Sequence, residues 1–395
     1  MKTTGLSQKR FSLLHLLLAI VLTLVVTVAA VALVCWAVLG RGGLTLLEGL
    51  ALVNTSFVGE FEKSEIVDGA MSGMISATGD RWSYYLTAEQ YQAEQERRAN
   101  RYVGIGVTVN YSEEDGVHIV AVTAGGPAEE AGLQAGELIV AVDGQSVAGD
   151  AQENATSLIQ GEEGTTVALT VRDASGAERE VTVERRAIET DPVRYEKLDS
   201  GVGYVKLSNF FTRSAERVEA AVEDLQSQGV TALVFDMRNN GGGYLDELTN
   251  MLDFLLDEGP ILQTRSHTGK EEVIESDADC VDLPMAVLVN QDTYSAAEMF
   301  AGELRERGVA VVVGVPTSGK GYSQQTFPLP NGGAVGLSTA AYFTGEGVSL
   351  IGTGLTLDEE VSLTDEQAAL LAADALKYED DPQLQAALEL LEPAA

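Results

Sequence analysis

Apolar positions along this chain fall into blocks of different rhythm, and each rhythm predicts a different kind of element. No charged residue lies between Phe11 and Gly40, and Leu16–Leu39 is an almost wholly apolar run of 24 residues. At about 1.5 Å of rise per residue, a helix of that length crosses a hydrocarbon core of about 30 Å. Residues 44–100 predict mostly helix, with Leu46, Leu50, Val53 and Phe57 at alternating four- and three-residue steps. The stretch Gly79–Leu86 breaks that pattern, and a polar helix resumes over 87–100. From Tyr102 to about Arg186, short β-rich runs alternate with glycine turns. The runs Gly106–Val109, Val117–Val122, Leu138–Val142, Val167–Val171 and Glu180–Val183 predict a compact β module.

After Asp191-Pro192 the pattern becomes α/β. Strands are predicted at 203–207, 231–237, 285–290 and 309–315, and helices at 212–228, 244–256 and 295–307. Residues 363–391 predict amphipathic helix broken at Asp380-Asp381-Pro382. The whole predicts a multidomain α+β chain. A tail (1–10) leads into a transmembrane helix (11–40) and a helical region (41–100). The β module (101–188) is inserted before an α/β core (189–362), and C-terminal helices (363–395) follow.

Charge decides the orientation of the apolar run. Lys2, Lys9 and Arg10 precede it and only Arg41 follows closely, which predicts a cytoplasmic N-terminus and an extracytoplasmic bulk. A cleaved signal peptide is the competing reading, although its apolar region would be about 7–15 residues and would end in an A-x-A-like site. Ala37-Val-Leu-Gly40 matches such a site poorly. The full chain is strongly acidic, at a net charge of −35. A surface of that sign repels nucleic acid, which argues against a DNA- or RNA-binding role. Cys35 lies in the apolar run and Cys280 in a polar segment, so the two cysteines offer no disulfide framework. No cofactor is implied, because no His/Cys/Asp cluster has metal-ligand spacing.

Candidate chemistry is concentrated in the α/β core. The strand 231–237 runs into Arg238-Asn-Asn-Gly-Gly-Gly243 and then a helix, an arrangement that points backbone N–H groups at an anion. Nucleotide-loop spacings are absent, so an oxyanion hole fits better. Ser295 and Glu298 form a Ser-x-x-Glu capping box, which by itself explains the serine structurally. A serine at a helix start also has the Ala296 N–H and the positive end of the dipole beside it. To act as a nucleophile it needs a base. His15, His118 and His267 lie in no triad-like motif, whereas Lys320 alone among the lysines is set between glycines, just after an apolar strand. A lysine base must be neutral, with its pKa lowered toward about 7–8 by desolvation. In an extended segment residues 320, 322 and 324 share a face, so Gln324 could orient the amine. A solvated loop lysine remains the plain alternative for Lys320.

These motifs together carry a resemblance. Phe-Asp-Met-Arg-Asn-Asn-Gly-Gly-Gly (235–243), Ser-Ala-Ala-Glu (295–298) and Thr-Ser-Gly-Lys-Gly-Tyr-Ser-Gln (317–324) look like those of the carboxyl-terminal processing, or tail-specific, serine peptidases. Leu-Pro-Asn-Gly-Gly-Ala (329–334) and the run from Gly347 to Asp358 extend the likeness. Gly126–Gly144, with a short helix, a glycine turn, an apolar strand and an Asp-Gly turn, resembles a PDZ domain of the permuted bacterial kind. The resemblance implies Ser295 as nucleophile, Lys320 as general base and Gln324 as its orienting partner, with Ala296 and one of Gly242 or Gly243 as oxyanion donors. It also implies a peptide site at Tyr102, Gly104, Ile105 and Gly106, taking protein substrates with apolar C-termini by strand addition. Terminal helices in related peptidases make dimer contacts, which makes a homodimer an expectation here. The family usually has proline where this chain has Gly241, a small residue at Tyr294 and proline at Leu357. A PDZ scaffold with a silent core is the rival reading, opposed by the presence of Ser295, Lys320 and Gln324 together. A trypsin-like protease lacks its histidine and serine loop here, and a Ser-x-x-Lys hydrolase fails at Glu298.

Overall fold

The computed structural model describes residues 13–111 and 115–391; the predicted tail (1–10) lies outside them. The chain divides into two compact units, 1–73 and 74–395. In the first, a single helical run, Leu13–Ser56, is interrupted only at Gly40, whose φ of 60° and ψ of −166° leave helical geometry. Glycine carries that break without a steric penalty. His15–Val34 has a mean hydropathy of 3.0, and Trp36–Ser56, at 1.3, is also long and apolar enough to cross a membrane. The second stretch had read as an ordinary helix. A further helix, Lys63–Ser76, runs through Gly73.

In the second unit, Thr87 caps the polar helix Ala88–Arg98, and the predicted interruption contains a short strand, Tyr84–Leu86. The β module follows as an antiparallel sheet in the order 107–110, 117–122, 138–142, 166–172, 178–184. Alternation builds it: Val167, Leu169 and Val171 point into the module core with Val181 and Val183 opposite. Chain enters and leaves the module through a two-stranded ribbon in which Arg101–Gly104 pairs antiparallel with Arg186–Glu189.

The remaining core is a six-stranded sheet ordered 193–197, 203–207, 233–236, 285–289, 310–314, 359–360. Only its first pair is antiparallel. Every residue of Leu233–Asp236 and Met285–Val289 is buried, the mark of parallel strands covered on both faces. Successive side chains serve opposite layers. Leu233, Phe235 and Val287 meet the helices Ser214–Ser227, Leu245–Leu255 and Ala296–Glu306. Val234, Ala286 and Leu288 meet Leu384 and Ala387 of the terminal helix Pro382–Leu391. A second sheet, antiparallel throughout, joins Tyr84–Leu86, Tyr322–Pro328, Ala334–Phe343 and the hairpin 259–276. Its two hairpins were not anticipated, because strands such as Glu271–Ser276 are exposed at five consecutive positions and carry no apolar face.

Candidate active site

Three turns meet at the end of the core sheet. The first follows Leu233–Asp236, where Asn240 is buried and stitches the turn together. Its carboxamide nitrogen donates to the Leu207 carbonyl at 2.7 Å and its Oδ1 accepts from the Gly242 N–H at 2.8 Å. Gly242 has a φ of +79°, and a Cβ there would lie 2.7 Å from the Ala296 nitrogen and 2.8 Å from the Ser295 Cβ. Only glycine therefore lets this turn approach the serine. A Cβ at Gly243 would strike the Phe210 carbonyl oxygen at 2.2 Å.

The second turn carries Ser295. It is locked to the first by the Tyr294 N–H, which donates to the Asn240 carbonyl at 3.2 Å, and by the Thr293 hydroxyl, which donates to the Met237 carbonyl at 2.8 Å. Ser295 itself has φ 62° and ψ −127°, outside the extended region normal for a helix cap. A non-glycine residue held there is strained by about 1–3 kcal/mol. Such strain accompanies function more often than routine capping does. Its hydroxyl contacts the Tyr342 phenol, whose proton burial retains by pushing the group up.

Lys320 stands on the third turn, and Glu298 joins that turn to the serine. Glu298 is fully buried on the serine helix. Its Oε1 accepts from the Thr317 hydroxyl at 2.6 Å and the Gly319 N–H at 2.7 Å. Oε2 accepts from the Lys320 N–H at 2.9 Å and the Ser295 N–H at 3.3 Å. Burial pushes this carboxyl up against the pull of its donors. Because every partner donates, the geometry is that of an ionised carboxylate. Tyr342 adds a second tie, donating its hydroxyl to the Lys320 carbonyl at 2.6 Å. The predicted capping box is thus half of a larger clamp, and Glu298 and Tyr342 are the residues that motif reading missed. Glu298 had a signal, its place in Ser-x-x-Glu; Tyr342 had none.

The Lys320 side chain is 9 % exposed, and burial lowers its pKa to about 8, with the Arg98 charge next in effect. No carboxylate pairs with it among the described residues. Its amine lies 4.7 Å from the centre of the Trp82 ring and 5.6 Å from that of Tyr294. No hydrogen bond joins Gln324 to this amine among the described residues. The Gln324 carboxamide nitrogen donates instead to the Tyr322 carbonyl at 2.8 Å and the Ser338 hydroxyl at 3.1 Å. The strand that carries Gln324 begins only at Tyr322, so Lys320 lies before it and the alternation that would give 320 and 324 one face does not extend to the lysine.

In the β module, Tyr102 and Gly104 belong to the ribbon, opposite Ile188 and Arg186. The Ile105 side chain is buried in the module core, and its carbonyl accepts from the Ala128 N–H at 2.8 Å. Gly106 takes a φ of +81° just before Val107–Asn110, a strand at the edge of the module sheet.

A strained serine at a helix start, clamped to a buried lysine and faced by a glycine turn, is a peptidase-like arrangement, and sequence comparison agrees. The profile of Peptidase family S41 matches residues 201–361, and a PDZ domain profile matches 118–173. The chain is 33 % identical over 329 residues to the carboxyl-terminal-processing protease of Picosynechococcus sp., covering 82 % of this chain and 78 % of that one. The chain belongs to the carboxyl-terminal processing proteases of family S41. It is a serine-type peptidase with a PDZ domain. The carboxy-terminal processing protease CtpA of Bacillus subtilis is 30 % identical over 316 residues, with 79 % of this chain and 67 % of that one covered. A solved S41 protease of Bacteroides fragilis shares the fold at 20 % identity and a TM-score of 0.56, over 82 % of this chain and 89 % of that one.

Proposed function

We propose that this chain is a membrane-tethered, outward-facing endopeptidase that takes protein substrates by their apolar C-termini and cuts them with a Ser295–Lys320 dyad. The observation that carries this reading is the buried Lys320 amine, without a carboxylate ion-pair partner among the described residues and with a pKa brought down to about 8, on a turn clamped through Glu298 to a strained serine. Neutral Lys320 takes the Ser295 proton as Oγ attacks the peptide carbonyl. It returns that proton to the leaving amine as the C–N bond breaks, and then activates the water that hydrolyses the acyl-enzyme. The Ala296 N–H stabilises the oxyanion. Since the Gly242 N–H is committed to Asn240, the second donor assigned here is Gly243, and Gly242 serves by keeping Cβ atoms away from Ala296. Gln324 acts at one remove, fastening its strand to Ser338.

The PDZ edge strand Val107–Asn110 receives the substrate C-terminus by strand addition, with the carboxylate at the Gly104–Gly106 turn. His15–Val34 serves as the anchor, the basic residues before it staying in the cytoplasm. Any homodimer built on the terminal helices would use their outward faces, since Leu384 and Ala387 are occupied by the core sheet.

The test is cleavage of an unstructured polypeptide ending in apolar residues by the full chain in detergent, beside Ser295→Ala and Lys320→Ala. Both variants should lose about 10³-fold or more in kcat/KM, as for a nucleophile and its base acting together. Wild-type kcat/KM should rise with pH and level off above about 8, because the neutral amine is the working form. Cutting that survives Lys320→Ala would sink the dyad, and an inactive wild type would favour the silent-scaffold reading.

A further inference from the structure

The lysine environment contains a device that the dyad reading leaves unexplained. No carboxylate forms an ion pair with this buried amine among the described residues, and two aromatic rings face it. Trp82 and Tyr294 lie with ring centroids 5.7 Å apart and planes inclined at 35°, and Lys320 Nζ is within cation–π range of both. Neither ring can take a proton. Their attraction for the ammonium is about 0.5–2 kcal/mol, weak enough to let the proton leave while their bulk excludes water.

The turn that carries Trp82 is fixed by its own hydrogen bonds. The Trp82 backbone N–H donates to Asp80 Oδ1 at 3.1 Å, which fixes the turn, and the Arg81 guanidinium lies 4.2 Å from the centre of the indole. Ser83 donates its hydroxyl to Asp80 Oδ2 at 2.6 Å and accepts from the Ser338 N–H at 3.1 Å, which fastens the turn to the strand that carries Tyr342. Tyr294 needs room on the opposite side, and Gly241 makes it. A Cβ on Gly241 would lie 2.5 Å from the Tyr294 hydroxyl oxygen and 2.7 Å from its Cζ. Gly241 is not among the positive-φ glycines, so space rather than backbone freedom is what its missing side chain supplies. The missing side chain of Gly241 and the ring of Tyr294 therefore fit each other.

Resting on the assignment of Lys320 as base, we propose that Trp82 and Tyr294 are positioning residues. They form an aromatic cage that holds the Lys320 amine dry and aimed at the serine, with Gly241 making space for the tyrosine. The charged and titratable groups facing the amine are Asp80 and Arg81 from the Trp82 turn, Arg98 from the helix Ala88–Arg98 and Glu298 from the serine helix. The Tyr294 ring also lies near the amine, whereas the Tyr342 hydroxyl meets the Lys320 carbonyl. The two arginines oppose the two carboxylates in their effect on the lysine, which leaves exclusion of water as the leading influence.

The experiment titrates Lys320 directly, by pH-dependent competitive labelling with acetic anhydride read by mass spectrometry, on the full chain in detergent. Carrying Ser295→Ala throughout makes this readout independent of catalysis. The parent should give a midpoint near 8. Trp82→Ala and Tyr294→Ala should each admit water and raise it by about one pH unit, a tenfold loss of neutral amine near pH 7. Trp82→Phe should restore it. In the active enzyme the acidic limb of kcat/KM should move by the same amount. A midpoint unmoved or lowered in either alanine variant overturns the cage, and so does failure of Trp82→Phe, if folded, to restore it. Retained cutting by Lys320→Ala would remove the base assignment, yet the labelling midpoints would still decide whether the rings cage the amine.

Discussion

Ser295 holds a backbone conformation, φ 62° and ψ −127°, close to the first central position of a type II′ turn, where glycine is the favoured residue. Two inactive variants should therefore differ in stability. Ser295→Gly relaxes the turn and Ser295→Ala retains its strain, so the glycine protein should resist denaturant better, by about 1 kcal/mol. Equal unfolding midpoints would mean that the turn stores no strain. Residue by residue, the site was unevenly legible. Ser295 and Lys320 stood out because their neighbours form recognisable motifs. Glu298 was visible only as a cap, since its bonds to Thr317, Gly319 and Lys320 cross about twenty residues of chain. Trp82 sat in a stretch notable only for breaking a helix.

At the scale of elements, the buried parallel strands and the module strands were read almost to the residue, because burial on one or two faces leaves a pattern. Hairpins such as Tyr322–Pro328 with Ala334–Phe343 were not, and the strand that carries Gln324 begins only at Tyr322, after Lys320. The terminal helix is held by a feature equally hidden from pattern. Arg238 is buried beside Asp236 and Asp381, with N–O distances of 2.6 and 2.8 Å, and Asp381 also accepts from the N–H groups of Gln383 and Leu384. Asp381→Ala leaves a buried guanidinium short of one partner and uncaps the helix, and should cost about 3–5 kcal/mol in denaturant unfolding. A loss below about 1 kcal/mol would show that Asp236 alone satisfies the arginine. Burial opposes ionisation of Asp236, but the Arg238 charge prevails and holds the carboxyl below its ordinary range. Its contribution to stability is thus full above that range and is lost as pH falls through the lowered pKa.

For the molecule as a whole, the PDZ domain joins the peptidase core through paired chains, with Arg101 opposite Glu189 and the Thr190 N–H donating to the Asn100 carbonyl at 2.8 Å. Replacing residues 101–189 with a short Gly-Ser linker should leave a folded core that still cuts short peptides. Its preference for particular C-termini in long substrates should vanish, falling by about tenfold or more in kcat/KM if strand addition supplies about 1.4 kcal/mol. Unchanged preference would assign recognition to the core itself. Orientation is open to a separate check, because Cys280 is exposed. A membrane-impermeant maleimide applied to intact cells should label the wild type and not Cys280→Ser, and absence of labelling would place the core on the cytoplasmic side.

The adjoining ends of that ribbon also bear on how such an enzyme can change its targets. Nothing in the order of the core strands depends on what lies between Asn100 and Thr190, since the six-stranded sheet begins only at Val193. The inserted portion is laid out as a cassette between paired ends. Under the tail-reading role proposed for the PDZ domain, swapping in a cassette that reads a different tail should redirect the protease to new clients while leaving the residues of the core in place.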